Sequence, residues 1–310
     1  MDKERTIVTL LRQISNEEGY AFRTYSYDWV KQIIKDGSSM FIYGYNFPLN
    51  DTSFTLIAND KSCTSEVLTS LNIPNVEHRY FMSPNDLHYV KYLGVDSNWS
   101  EMSRLLEKHG KLVIKPNSGT GGSGLHIADS YEKLEKAVNE IFSHSTTLSI
   151  SPYREIENEF RVIILNKAPS LVFKKVRPFV IGNGTDSISV LGAKCGKRID
   201  SDLGIDLNYV PAKDERIEIG WKHNLGQGSV PEILTCGKEY LEVTSLALEA
   251  LSALGGTFAS VDCVRIDGKY HVLEINSGVM MDNFANTNPS NYKIAKDIYH
   301  EAIKLYFNKI

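Results

Sequence analysis

An Asp-Gly pair between two alternating apolar segments places the tightest constraint on how this chain folds. The pair is Asp267-Gly268, and it separates residues 261–266 from residues 270–275. Two short apolar runs joined by Asp-Gly are the strongest short-range signal for a β-hairpin. The sequence therefore predicts two antiparallel strands, with the start of the first strand beside the end of the second.

Three oxygen-bearing side chains lie near that end of the predicted hairpin: Asp262, Glu274 and Asn276. Glu274 and Asn276 are two residues apart, so they point to the same face of their strand. Carboxylate and amide oxygens suit Mg²⁺, which takes a few protein ligands together with substrate phosphates. The alternative is an ordinary surface hairpin, because acidic residues are common at strand ends. A phosphate-binding segment elsewhere in the chain favours the metal site.

That segment is a run of small residues between two short apolar strands. The first strand ends at Lys115, and residues 118–124 contain four glycines together with hydroxyl side chains. Glycines let backbone N–H groups approach phosphate oxygens closely, and hydroxyl groups add donors. The pattern is not a Walker A loop, because no Gly-Lys-Ser/Thr follows and the next element is predicted to be a strand. It is typical of a flap over a nucleotide; the alternative is a hairpin loop without a ligand.

Four further polar segments accompany these two features. They are Asp60-Lys61 with the following residues to Pro74, residues 149–165, residues 172–191 and residues 221–228. In this order along the chain, the six segments resemble the motifs of the ATP-grasp ligases over residues 55–285. That family includes glutathione synthetase, D-alanine–D-alanine ligase, cyanophycin synthetase and the ribosomal-protein glutamate ligases. The ordered set is far more specific than any one segment.

The resemblance implies an α/β (α+β) chain with the ATP-grasp fold, in which two lobes clasp ATP. Residues 1–58 would form a small N-terminal pre-ATP-grasp domain, and residues 59–310 would form the ATP-grasp domain. The second domain would contain a small lobe with the flap, a large lobe with the metal site and a C-terminal helix. Their ranges would be 111–155, 156–288 and 289–310.

The resemblance also implies residues that bind ATP through its phosphates, ribose and adenine. These are Lys61, Lys115, Ser118, Gly119, Thr120, Gly121, Gly122, Ser123, Gly124, Tyr153, Glu155 and Glu159. The cofactor would be ATP with Mg²⁺, or Mn²⁺ in its place, held by the three oxygen ligands of the hairpin.

Other positions match residues that face the reacting groups in the family. Arg161 and Lys222 would stabilise charge on the transferring phosphoryl group, with Lys222 replacing an arginine of the family. Four residues would contact the substrates: Lys175, Arg177, Asn224 and Asn283.

In the family, ATP phosphorylates a carboxylate, and an amine then attacks the acylphosphate to form an amide. ADP and phosphate are released. The resemblance therefore implies a carboxylate and an amine as small-molecule substrates, such as an amino acid or a small peptide. Two alternatives stay open: a small-molecule kinase with the same nucleotide site, and a non-catalytic ATP-binding protein. The intact lysines and acidic residues argue against the second alternative.

Composition and charge limit the partners that the protein is expected to have. The net charge of −4 and the lack of a basic block argue against a nucleic-acid partner. The four cysteines are far apart and form no CxxC pair, so we expect free thiols in a cytoplasmic protein. No apolar stretch is long enough to span a bilayer, so no membrane association is expected. A homo-oligomer such as a dimer is compatible with these features.

Local patterns predict the positions of individual elements. We expect helices at residues 7–14, 29–34, 130–142, 231–255 and 289–308, and strands at residues 40–43 and 54–57.

Overall fold

The structure is a computed structural model, and it describes residues 4–84, 98–118, 124–197, 199–200, 203–221 and 223–309. The N-terminal elements are α1 (Thr6–Glu18), β1 (Ala21–Tyr25), β2 (Val30–Lys35) and β3 (Ser38–Tyr43). The three strands form an antiparallel sheet in the order β1-β2-β3.

The predicted helix at residues 29–34 is wrong, because this segment is the central strand β2 of that sheet. Asp36 and Gly37 both have positive φ angles, of 49° and 81°, and form a tight turn into β3. Two consecutive left-handed residues suit a two-residue hairpin, so the turn and the pairing on both sides override the local apolar pattern. The predicted strand at residues 40–43 and the predicted helix at residues 7–14 are both confirmed.

Two short helices follow: α2 (Thr52–Ala58) and α3 (Lys61–Ser70). The predicted strand at residues 54–57 is wrong, because it lies inside α2. The Asp51 carboxylate accepts a hydrogen bond from the Phe54 amide at 2.6 Å and caps the helix. Helix α3 begins in the same way, since the Asp60 carboxylate accepts from the Cys63 amide at 2.7 Å.

The next elements form a four-stranded sheet with two helices, and we call this unit the small lobe. They are β4 (Arg79–Met82), α4 (Asn98–His109), β5 (Leu112–Pro116), β6 (His126–Ala128), α5 (Tyr131–Phe142) and β7 (Thr147–Pro152). The four strands form an antiparallel sheet in the order β4-β7-β5-β6. Ile114 and Ile150 share a buried cluster with the apolar faces of α4 and α5. Because side chains alternate along a strand, the neighbouring Lys115 and its cross-strand partner Ser149 point to the opposite face.

The remaining elements form a five-stranded sheet with its helices, which we call the large lobe, and the C-terminal helices. They are β8 (Asn158–Leu165), β9 (Ala168–Val176), β10 (Phe179–Ile181), α6 (Ile188–Lys194), β11 (Arg216–Glu218), β12 (Val230–Ile233), α7 (Lys238–Ala253), β13 (Phe258–Ile266), β14 (Lys269–Asn276), α8 (Asp282–Ala285) and α9 (Pro289–Phe307). A five-stranded antiparallel sheet has the order β12-β9-β8-β13-β14, and β10 pairs with β11 separately.

The predicted hairpin is confirmed as the β13–β14 pair. Asp267 and Gly268 have φ angles of 49° and 73°, as a type I′ turn requires. The predicted helix at residues 231–255 begins later, at Lys238. Pro231 instead lies in β12 at the edge of the sheet, where proline is tolerated because an edge strand pairs on one side only. The helices predicted at residues 130–142 and 289–308 are confirmed.

Both faces of the five-stranded sheet are covered by apolar side chains. On one face, Ile7 of α1 and Tyr299 of α9 belong to the same buried cluster as Phe173. On the other face, Phe54 of α2 and Leu251 of α7 belong to a second cluster. The N-terminal sheet and helix therefore pack directly on the large lobe. Within the described ranges, no helix is both long and apolar enough to cross a lipid bilayer.

Tyr299 anchors the segment that follows β14 through two hydrogen bonds, and their contribution to stability can be tested. Its buried hydroxyl donates to the Val279 carbonyl at 2.8 Å and accepts from the Met281 amide at 3.2 Å. Tyr299→Phe leaves both backbone groups unsatisfied, so we expect a loss of about 1–3 kcal/mol in the free energy of unfolding, measured by denaturant titration. The control is Tyr292→Phe on the same helix, whose half-buried hydroxyl donates to Gln13 at 3.0 Å. An equal loss in both variants would contradict this role.

Candidate active site

Strands β8 and β13 place Arg161 directly opposite Asp262 in the centre of the large sheet. The guanidinium donates from Nε to Oδ1 and from Nη2 to Oδ2, both at 2.7 Å. This bidentate salt bridge fixes the orientation of both side chains. The Asp262 side chain is 1% exposed and that of Arg161 is 17% exposed, so the carboxylate is shielded from water and the guanidinium is largely so.

Lys175 on β9 completes this group of charges. Its ammonium donates to Asp262 Oδ2 at 2.9 Å and to Glu159 Oε1 at 2.6 Å. The side chains of Lys175 and Glu159 are 6% and 12% exposed. Two cations thus face two carboxylates, and we call Glu159, Arg161, Lys175 and Asp262 the buried charge network. The resemblance implied a substrate contact for Lys175 and an ATP contact for Glu159, and the structure places the two in contact with each other.

Burial and pairing act in opposite directions on these groups. Burial tends to raise the pKa of Asp262, but Arg161 and Lys175 hold it well below its usual value. Burial also tends to lower the pKa of Arg161, yet the carboxylate of Asp262, with Glu274 nearby, raises it. Burial dominates at Glu159, whose pKa is raised despite the contact with Lys175. Asp262 and Arg161 therefore stay charged across the physiological range.

The two other predicted metal ligands lie beside this network. Glu274 on β14 is directly opposite Asp262, and Asn276 is opposite Ser260. The Asn276 amide donates to Glu274 Oε1 at 3.3 Å. A β-bulge falls between Asp262 and Cys263, at the point where the two strands bring the oxygen ligands together.

These oxygen atoms fit Mg²⁺ in their chemistry and their placement. A carboxylate has about four lone-pair sites, and Asp262 uses three of them for Arg161 and Lys175, so one remains for a metal ion. Among the residues that the structure describes, no three His, Cys, Asp or Glu side chains are arranged to hold a metal ion. A metal held at Asp262, Glu274 and Asn276 would depend on the amide oxygen and on ligands from a nucleotide, as Mg²⁺ sites usually do.

Two lysines from other elements lie near the carboxylate of Glu274. Lys61 begins α3, and Lys115 lies near the end of β5. The negative charge of Glu274 acts on both lysines and tends to raise their pKa values. Burial has the larger effect, since it lowers the pKa of Lys61 and lowers that of Lys115 to about 8. The structure therefore brings the two predicted phosphate lysines and the predicted metal site together.

His78 is a polar residue of this region that the sequence patterns missed. It is 5% exposed, and its Nδ1 lies 2.7 Å from the Val76 carbonyl. Burial and the charges of Lys115 and Lys61 hold its pKa well below the usual value, so the imidazole is neutral. A lone histidine in an irregular connection gave no signal that it would lie near the lysines.

The predicted hinge residues occupy the end of β7 and the following turn. The Tyr153 amide donates to the Lys111 carbonyl at 2.9 Å, and the Lys111 ammonium lies 3.8 Å from the centre of the Tyr153 ring. Glu155 is exposed two residues later. Ser118 is also exposed, at the end of the described part of the glycine-rich segment, and Gly124 at its other end has a φ of 70°.

Arg177 is another predicted substrate residue, and it contacts two separate segments of the chain. Arg177 donates from Nη2 to the Ile156 carbonyl at 2.8 Å and from Nε to His223 Nε2 at 3.0 Å. His223 Nδ1 lies 2.7 Å from the Lys175 carbonyl, so its proton is assigned to Nδ1. Burial lowers the pKa of His223.

Asn224 and Asn283 lie close to one another. Gly226 approaches both so closely that a Cβ atom there would be 3.2 Å from Asn224 Oδ1 and 3.2 Å from Asn283 Nδ2. The structure therefore groups these two predicted substrate residues beside one short turn. The remaining predicted site residues lie outside the described residues: Gly119, Thr120, Gly121, Gly122, Ser123 and Lys222.

Comparison with solved structures identifies the fold. A bifunctional glutathione synthetase from Pasteurella multocida matches with a TM-score of 0.59 and 18% sequence identity, over 94% of this chain and 44% of that chain. A D-alanine–D-alanine ligase from Bacillus anthracis matches with a TM-score of 0.54 and 17% identity, over 84% of this chain and 72% of that chain. The same ligase complexed with ATP has a TM-score of 0.53, 16% identity and coverages of 84% and 71%.

The chain therefore has the ATP-grasp fold, as its resemblance to the family implied. It spans less than half the length of the glutathione synthetase that it resembles. A scan against protein-family models finds no match, and a search of curated protein sequences finds no relative.

The buried charge network predicts that replacing one of two adjacent lysines lowers the free energy of unfolding much more than replacing the other. Lys175→Met leaves the buried carboxylates with one cation fewer, and removing one partner of a buried ion pair costs about 3–5 kcal/mol. We expect that loss in the free energy of unfolding at neutral pH, measured by denaturant titration. Lys174→Met is the matched control, because Lys174 is more exposed and points to the other face of β9. Similar losses for the two variants would contradict the role of the network.

Proposed function

We propose that this protein is an ATP-dependent carboxylate–amine ligase that forms an amide through an acylphosphate and releases ADP and phosphate. One observation carries the proposal: Lys61, Lys115 and Arg161, from three separate elements, all lie within the electrostatic reach of Glu274. Phosphoryl transfer depends mainly on positioning and charge neutralisation, which such an arrangement supplies. The fold that the chain shares with ligases also supports this proposal.

Each part of the site has a role in this proposal. Lys61 and Lys115 hold the phosphates of ATP through charge-assisted hydrogen bonds. Asp262, Glu274 and Asn276 would hold Mg²⁺, which when bound neutralises charge on the β- and γ-phosphates. The positive charge of Arg161 stabilises the negative charge that develops on the transferring group.

The nucleophile in this mechanism comes from the substrate. Burial raises the pKa of the Cys263 thiol, so this cysteine stays protonated. His223 is held between Arg177 and a backbone carbonyl, and burial lowers its pKa. Neither side chain is suited to covalent catalysis. A substrate carboxylate instead attacks the γ-phosphorus, ADP leaves, and an amine then attacks the acyl carbon and displaces phosphate.

We further propose that both substrates are small molecules, with an amino acid or a small peptide as one of them. Asn224 and Asn283 are the residues assigned to contact them, because their amides can donate to a carboxylate and accept from an amine. Arg177 adds positive charge beside the same region.

The reaction class can be tested by product analysis. The protein is incubated with Mg²⁺ and ATP, first with candidate carboxylates alone and then with candidate amines added. We expect ADP and phosphate in equal amounts only when both substrates are present. A stable phosphorylated product formed without any amine would identify a kinase instead. AMP as the stoichiometric nucleotide product would exclude an ADP-forming ligase, and ATP bound without turnover on any amino-acid pair would favour a non-catalytic protein.

The lowered pKa of Lys115 predicts how ATP binding depends on pH. Below its pKa of about 8 the ammonium is charged and attracts phosphate, and above that value it loses its charge. ATP affinity measured by calorimetry should therefore fall as the pH rises from 7 to 9, approaching about tenfold per unit above the pKa. Lys115→Arg stays charged throughout this range and should show a flatter curve. Parallel curves for the two proteins would contradict the assignment of Lys115.

A further inference from the structure

Asn117 joins the two elements that carry the phosphate lysines. It follows β5 directly, and its side chain is almost fully buried, at 1% exposure. Its amide nitrogen donates to Asp60 Oδ2 at 2.7 Å. Its amide oxygen accepts from the Ser62 amide at 3.2 Å and from the Ser62 hydroxyl at 2.9 Å. All these partners lie at the start of α3.

The backbone of Asn117 binds the residue between those two partners. Its carbonyl oxygen accepts from the Lys61 ammonium at 3.2 Å and lies 3.5 Å from the Lys61 amide nitrogen. One residue thus contacts three consecutive residues of the α3 start, and Lys115 lies only two residues before it. The positions of Lys61 and Lys115 are therefore coupled through a single short connection.

Such a connection is needed because the two lysines carry the same charge. The charge of Lys61 tends to lower the pKa of Lys115, so the two ammonium groups repel one another. Helix α3 and strand β5 belong to different parts of the chain, and repulsion between their lysines would tend to move them apart. A fixed pair of cations at a set separation binds a polyphosphate better than two mobile ones, because less order has to be gained on binding.

We propose that Asn117 and Asp60 are positioning residues that hold Lys61 and Lys115 at the separation required by the phosphates of ATP. This inference rests on the proposed function and gives a role at the site to two residues for which the sequence motifs implied none. The amide of Asn117 is specifically required, because it donates to one partner and accepts from another. Asp60 contributes twice, since its other carboxylate oxygen caps α3 through the Cys63 amide.

An exchange of the two side chains tests this link. In Asp60→Asn, the new amide nitrogen faces the donor of Asn117. In Asn117→Asp, two carboxylates face each other. The double variant restores one donor opposite one acceptor and leaves the net charge unchanged. Asparagine caps helices as well as aspartate, so α3 can begin normally in the double variant.

The experiment measures ATP affinity in the presence of Mg²⁺ by calorimetry, and the melting temperature of each protein. We expect each single variant to bind ATP about tenfold more weakly, and the double variant to recover most of that loss. Asp60→Asn removes a negative charge, which by electrostatics alone would strengthen binding of an anionic nucleotide. Because Asp60 also tends to raise the pKa of Lys61, the affinity is measured at two pH values, and a loss that is the same at both reflects lost positioning.

A matched control separates positioning from general stability. Asn50 uses its side chain in a similar way, since Oδ1 accepts from the Thr257 amide at 2.7 Å and Nδ2 donates to the Phe258 carbonyl at 2.6 Å. It joins the segment before α2 to the start of β13, so its partners are Thr257 and Phe258 and neither of the two lysines. Asn50→Asp should lower the melting temperature and leave the ATP affinity unchanged.

The possible outcomes are distinct. Unchanged ATP affinity in both single variants would overturn the inference and would leave the proposed function intact. Loss in the single variants without recovery in the double variant would also overturn it, because the pair would not act as donor and acceptor. If Asn117→Asp fails to fold, Asp60→Asn and the double variant still decide the question. Absence of ATP binding by the unaltered protein would overturn the proposed function and this inference together.

Discussion

The pairing of Arg161 with Asp262 is the interaction on which the rest of this site depends. Removing two charges from water is costly, and attraction between them offsets that cost only when the geometry is good and the other polar atoms are also bonded. Here the guanidinium meets both carboxylate oxygens, and Lys175 adds a third contact that also reaches Glu159. The network joins the central strands β8, β9 and β13, so the register of the sheet and the position of the charges support each other.

This network explains how a cationic site can form beside the sheet. Its two cations and two carboxylates largely balance one another, which leaves Glu274 at the edge to face the lysines from the other elements. Lys61 and Lys115 are both partly desolvated and repel each other, so their site gains from an anionic ligand with several charges. A polyphosphate has that property, and burial strengthens each contact that it makes with the lysines.

The sequence predicted best those features that depend on neighbouring residues. The Asp267-Gly268 turn set the hairpin, because such a turn is a property of a few adjacent residues. Residues 29–34 were predicted wrongly, since pairing on both sides of β2 outweighed the local apolar pattern. The Arg161–Asp262 contact joins residues 101 positions apart, and the link from Asn117 to Asp60 joins residues 57 positions apart. Contacts at such separations follow from strand register and packing, which no local pattern records.

Lys175 and Arg177 show why a residue's role follows from its surroundings as much as from its position in a pattern. The resemblance to the family assigned both to substrate contacts, and the sequence could not indicate which groups each cation would meet. The structure places carboxylates of neighbouring strands against Lys175, while Arg177 meets a backbone carbonyl and His223. Both cations thus make contacts within the protein, and these contacts hold β9 against β8 and the segment before β12. Arg177 and the Lys175 carbonyl also hold His223, the residue before Asn224, so these two positions support the predicted substrate region through the backbone next to it.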